Sequence, residues 1–138
     1  MVGFNLSLLF VFMSMYFFQV GAILPSTYKV TANGTFTCEG RKLFGQTKVR
    51  VEIWEKDPLK DDLLAKGIVG VDGGYDFTGS EAEYFGISPY VYVYHACGGK
   101  CRRIKFEGSH VNPGNYELKD KGQSSDKCSA GKYPRYRK

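Results

Sequence analysis

The chain has 138 residues, 24% of them charged, and a formal net charge of +5. That length suits one domain of ordinary size and leaves no room for a second. The positive excess favours anionic partners in general but is too small to point to nucleic acid, and nothing in the composition implies a cofactor.

The first 22 residues carry no charged side chain. An apolar run from Leu6 to Val20 is densest at Leu8-Leu9-Phe10-Val11-Phe12, and Val20-Gly21-Ala22 then places small or modest residues at the positions a signal peptidase inspects. A secretory signal over 1–22, cleaved after Ala22, is therefore expected. An uncleaved anchor fits less well, because Ser7, Ser14, Gln19 and Gly21 interrupt what would have to be a span of about 20 apolar residues. Cleavage leaves 116 of the 138 residues, with every Lys, Arg, Asp and Glu among them. The protein is expected to be secreted and extracellular. In that compartment its four cysteines, Cys38, Cys97, Cys101 and Cys128, belong in disulfides rather than in a metal site.

After residue 22 the dominant period is two, and short alternating segments are separated by Gly, Asn, Asp and Pro. A first strand over Tyr28–Cys38 sets Val30, Ala32, Gly34, Phe36 and Cys38 on one face and Lys29, Thr31, Asn33, Thr35 and Thr37 on the other. A second over Thr47–Glu55 turns Val49, Val51 and Ile53 inward and Lys48, Arg50, Glu52 and Trp54 outward. The charged stretch 55–62 reads as an exposed loop. Leu63–Val71 is a third strand, and Asp72-Gly73-Gly74 makes a hairpin into Tyr75-Asp76-Phe77. The polar residues Gly79 to Glu83 suit a short helical turn. A strand over Tyr90–Cys97, apolar or aromatic on both faces, is expected at the centre of a sheet. Gly98-Gly99 then turns the chain into Cys101–Glu107, and Tyr116–Lys119 is the last strand. Seven short strands in one domain predict an all-β sandwich over 23–128, followed by a basic, disordered tail over 129–138.

The acidic cluster Asp57, Asp61 and Asp62 matches no EF-hand spacing and reads as a solvated turn, so no metal is expected. Asn33-Gly34-Thr35 has the form of a glycosylation sequon on an outward face. The basic cluster Lys100, Arg102, Arg103 and Lys105, with Lys132, Arg135, Arg137 and Lys138 in the tail, is the candidate binding surface for anionic lipid or glycan. Along the strand Arg103 and Lys105 share one face and Arg102 takes the other.

Cys38-Glu39-Gly40, Val49-x-Val51-x-Ile53-Trp54-Glu55-Lys56-Asp57, Asp61-Asp62-Leu63-Leu64, Gly79-Ser80-Glu81, Pro89-Tyr90, Tyr94-His95-x-Cys97 and Cys101-x-Arg103 occur in this order. As an ordered set they resemble the nematode transthyretin-like family from about Val30 to Cys128. The chain departs from the family pattern at Ala96, where an Asp is usual, at Asp72-Gly73-Gly74-Tyr75, where the hairpin glycine is displaced, and near Glu107-Gly108, where a Pro is missing. The resemblance implies a small secreted sandwich of prealbumin type that acts as an extracellular binding or signalling protein at the cell surface.

Four cysteines allow three pairings. The Gly98-Gly99-Lys100 turn would bring Cys97 and Cys101 together, leaving Cys38 to pair with Cys128. The prealbumin topology implied by the resemblance supports that second pair, because it lays the first and last strands side by side and parallel.

Enzymatic activity is not expected. The related hydroxyisourate hydrolases need histidines and an arginine in a dimer channel and end in Tyr-Arg-Gly-Ser. Here the end is Tyr136-Arg137-Lys138, the histidines are His95 in a central strand and His110 in a loop, and none opens the first strand. No nucleophile has a base in suitable order, and His95 reads as a packed strand histidine. The expected function is a non-catalytic extracellular module that binds a protein receptor or an anionic surface. A carrier of a small hydrophobic ligand is the alternative, with Tyr84, Phe85, Tyr90, Tyr92 and Tyr94 lining its pocket.

Overall fold

A computed structural model describes residues 23–137. The expected signal segment, 1–22, lies outside the described residues. Eight strands follow in chain order: β1 Ser26–Thr37, β2 Arg50–Glu55, β3 Asp62–Ile68, β4 Gly74–Glu83, β5 Pro89–His95, β6 Arg102–Glu107, β7 Tyr116–Glu117 and β8 Gln123–Ser124. They form a three-stranded sheet in the order β4-β1-β7 and a five-stranded sheet in the order β3-β2-β5-β6-β8. The protein is an all-β sandwich, as the period-two pattern requires.

Alternation places the core. Val30, Ala32 and Phe36 of β1, Val51 and Ile53 of β2, Val91 and Val93 of β5 and Ile104 of β6 are buried between the sheets, and Leu43, Val49, Val69 and Leu118 join them from the connections. The Phe36 and Tyr75 rings stack with centroids 4.3 Å apart. β5 lies between β2 and β6, which accounts for its having no polar face. β7 runs parallel to β1, pairing Phe36 with Tyr116 and Thr37 with Glu117.

Three expectations need correction. The segment Gly79–Glu83 is strand rather than helical turn, because β4 pairs with β1 over ten residues from Ser26↔Glu83 to Thr35↔Gly74. Its polar composition hides this, since one side of the ladder meets solvent and the other reaches the end of the core.

The disulfides are Cys38–Cys97 and Cys101–Cys128, not Cys97–Cys101 and Cys38–Cys128. Register explains the difference. His95 faces Arg102, so continuing the ladder sets Cys97 against Lys100 rather than Cys101. Cys97 also continues the inward row of Val91, Val93 and His95, whereas Cys101 continues the outward row of Arg103 and Lys105. Cys97 therefore meets Cys38, which ends the inward row of β1, and the bond ties one sheet to the other.

The tail is not disordered. Tyr133 is buried, its amide donates to Gln46 O at 2.9 Å, and its hydroxyl donates to Val69 O and accepts from the Val49 amide. Lys132 bridges to Thr47, and Gly45 N donates to Pro134 O. The domain thus extends through Pro134, held by one aromatic anchor inside a basic segment.

Candidate functional site

The outward face of the five-stranded sheet carries a column of tyrosines. Tyr90, Tyr92 and Tyr94 alternate with the core valines of β5, and their rings pack edge to face, with centroids 5.1 and 6.1 Å apart along the column. A cation covers each ring. The Arg50 guanidinium lies 4.3 Å from the centre of Tyr94, Arg103 lies 4.3 Å from Tyr92, and Lys105 Nζ lies 4.7 Å from Tyr90. Strand order produces this arrangement. β5 is flanked by β2, which turns Arg50, Glu52 and Trp54 outward, and by β6, which does the same with Arg103 and Lys105. A contact between a cation and a ring face contributes about 0.5–1 kcal/mol at an exposed site and more where the ring is buried, as Tyr90 and Tyr94 are.

The three cations are not equally available. Arg50 Nε donates to Glu52 Oε2 at 2.9 Å, Nη1 to Ser129 Oγ at 2.9 Å and Nη2 to Lys127 O at 2.6 Å, so this side chain is committed to holding the C-terminal segment. Lys105 Nζ lies 3.2 Å from Glu107 Oε2, with both side chains well exposed. Arg103 spreads over the column. Burial pushes the Tyr94 phenol up, with Glu52 adding to the shift, while the hydrogen bond and charge of Arg103 oppose it. Arg103 and Lys105 also border a recess of about 320 Å³ with Ile104, Gly122 and Gln123.

Of the basic residues singled out from sequence, Arg103 and Lys105 do share the outward face. Arg102 faces the other way and donates to Gly122 O at 3.1 Å, and Lys100 is exposed on the β5–β6 turn. Sequence reasoning left Arg50 out of the cluster. Its outward position was readable from alternation, but its place over Tyr94 depends on β2 lying beside β5.

Of the aromatics expected to line a pocket, only Tyr90 borders one of the clefts described here. Tyr90, Tyr92 and Tyr94 form the cation-covered column, and Tyr84 and Phe85 are exposed after β4. Tyr90 borders an open cleft of about 570 Å³ together with Lys56, Ile87, Ser88, Pro89, Glu107 and Gly108. Its hydroxyl donates to Asp61 Oδ2, and burial followed by the Asp61 carboxylate moves the phenol well above its usual range.

His95 is fully buried. Its Nδ1 accepts from the Cys97 amide at 3.1 Å, so the proton is on Nε2, which donates to Lys121 O at 2.8 Å. Both ring nitrogens are thus used in packing the β5–β6 end. Asn33 is exposed on β1, and its Oδ1 accepts from Asn112 Nδ2 at 2.9 Å.

The sequence profile of the transthyretin-like family matches residues 33–107, more than half of the chain. The chain belongs to the transthyretin-like family. Among its relatives in Caenorhabditis elegans, Transthyretin-like protein 2 is 30% identical over 121 residues, covering 78% of this chain and 79% of the relative. Transthyretin-like protein 5 is 30% identical over 101 residues, covering 67% and 70%. Transthyretin-like protein 16 is 35% identical over 69 residues, covering 49% and 50%. The matched profile spans β2 to β6, and so includes the whole tyrosine column and its cations.

Proposed function

We propose that this transthyretin-like chain is a secreted, non-catalytic binding module whose outward five-stranded face engages the phosphate or sulfate groups of an anionic surface. The observation that carries the reading is the tyrosine column with Arg103 and Lys105 laid across it. Rings of this kind restrict flexible cations, lowering the entropy lost when they close on an anion. The Arg103 guanidinium offers a fork of donors that suits phosphate and sulfate oxygens. Two disulfides in so small a domain fit an oxidising, extracellular setting.

Binding to vesicles containing an anionic phospholipid, and in parallel to a sulfated glycan, tests the proposal and separates the two sources of anion. The double variant Arg103→Ser/Lys105→Ser should bind about 30-fold more weakly, at about 1 kcal/mol per cation near a charged surface. Wild-type binding should fall steeply with salt, because exposed charges are screened over about 8 Å at physiological ionic strength. Unchanged binding by the double variant, or binding indifferent to salt, would refute the proposal.

A further inference from the structure

The inward rows of β2 and β4 end in acid. On β2 the row is Val51, Ile53 and Glu55; on β4 it is Tyr75, Phe77, Gly79, Glu81 and Glu83. Both carboxylate ends lie at the same end of the sandwich, one from each sheet, and Asp57 joins them from the β2–β3 loop. Glu55 is only 4% exposed, and its Oε2 is buried without a hydrogen-bond partner. One carboxylate oxygen from each of Glu55, Asp57 and Glu83 lies within 4.8 Å of the others. Among the described residues, no ion pair involves any of the three. Burial, then the charges of Glu83, Asp57, Glu81 and Asp62, push the Glu55 carboxyl above its ordinary value.

Such a cluster is unfavourable by itself. A buried carboxylate without a partner costs several kcal/mol, and like charges at this spacing add to the cost. We propose that Glu55, Asp57 and Glu83 form a binding site for a divalent cation of the calcium class, which ties the β2–β3 loop to the end of β4. The ligand atoms are all carboxylate oxygens, the choice of a hard cation. Calcium takes six to eight oxygens at about 2.3–2.6 Å in flexible geometry, which suits carboxylates brought from a loop and two strand ends, whereas magnesium demands a near-ideal octahedron at about 2.0–2.1 Å. The three side chains gathered there include no imidazole or thiolate, the ligands that would favour zinc or copper. Asp57 already holds the loop through Oδ1, which accepts from the Leu59 amide at 3.2 Å. Asp61 is used otherwise, on the Asp57 amide and Tyr90, which is why the trio Asp57, Asp61 and Asp62 does not act together.

Calorimetric titration of the disulfide-intact chain with calcium chloride, alongside thermal melts, tests the site. Calcium should bind with a Kd of about 10⁻⁴–10⁻³ M, the range of extracellular modules, and should raise the melting temperature with concentration. Glu55→Gln and Glu83→Gln should each abolish both effects. Glu55→Gln keeps the side-chain shape and removes a buried charge, so without calcium it should melt no lower than wild type. Asp76→Asn, on the exposed side of β4, should bind as wild type does. Absence of binding at about 10 mM calcium, retention of binding by both Gln variants, or equal stabilisation by magnesium would overturn the proposal.

Discussion

At one end of the sandwich, Cys38–Cys97 joins β1 to the chain after β5, and Leu43, Leu118, Tyr133 and the neutral ring of His95 fill the space around it. At the other end, β2 and β4 run out in Glu55, Glu81 and Glu83, with Asp57 beside them and one carboxylate oxygen left without a partner. The same two layers are therefore closed covalently on one side and meet through like charges on the other. The first end derives its order from the chain alone. The second, on the proposal above, takes a proton or a cation from solution to reach the same state.

The contrast is broken most directly at the covalent end. Cys38→Ala/Cys97→Ala should destabilise the domain by about 4 kcal/mol, since the bond closes a loop between residues 59 apart in sequence. Cys101→Ala/Cys128→Ala, which opens a span of 27, should cost somewhat less, about 3.5 kcal/mol on the same loop-closure relation. Chemical denaturation of both oxidised double variants provides the comparison. If the second pair proved the more costly, the inter-sheet bond would not be the main closure of that end.

A smaller loss is expected from Tyr133→Phe. The hydroxyl joins the Val49 amide to the Val69 carbonyl, and both residues are almost fully buried. An orphaned buried polar group costs about 1–3 kcal/mol, so a loss of about 2 kcal/mol in a urea melt is the expected outcome. A loss under about 0.5 kcal/mol, the scale of a neutral surface substitution, would mean that the C-terminal segment adds little to closing this end.

Alternation alone made the inward rows legible, and with them the sandwich, the buried Val51 and Ile53 and the outward placement of Arg103 and Lys105. It failed where a decision depended on which strands are neighbours. Cys97 and Cys101 look like a hairpin pair along the chain, yet they fall on opposite faces of the sheet, and counting outward from His95↔Arg102 excludes a direct pairing. That count was available in the sequence once the strand ends were known. Arg50 over Tyr94 and Glu55 beside Glu83 were not available, because each needs a contact between segments that the chain does not place together. Tyr133 was masked differently. Its single buried ring is outnumbered by the exposed Lys and Arg around it.

The finest distinction between the two ends is their response to protons. Burial pushes the His95 pKa below 6.5, so the folded protein takes up this proton less readily than the unfolded chain. The stability this end contributes is complete above pH 6.5 and is lost as pH falls below it. For Glu55 burial acts in the other direction, raising the carboxyl above 4.5 with Glu83 and Asp57 adding to the shift. Its folded state favours the protonated form, so the stability of the acidic end is complete below pH 4.5 and is lost as pH rises through the raised pKa. Acidification should thus loosen the disulfide end while relieving the carboxylate end. Urea midpoints measured from about pH 4 to 8 without added divalent cation separate the two. His95→Gln, whose amide both donates and accepts but does not titrate, should remove the loss below pH 6.5. Glu55→Gln should remove the loss on the alkaline side and leave the His95 limb in place. If the Glu55→Gln profile instead superimposes on wild type, the carboxylates carry no strain for a proton or a cation to relieve, and the two ends differ only in their covalent bond.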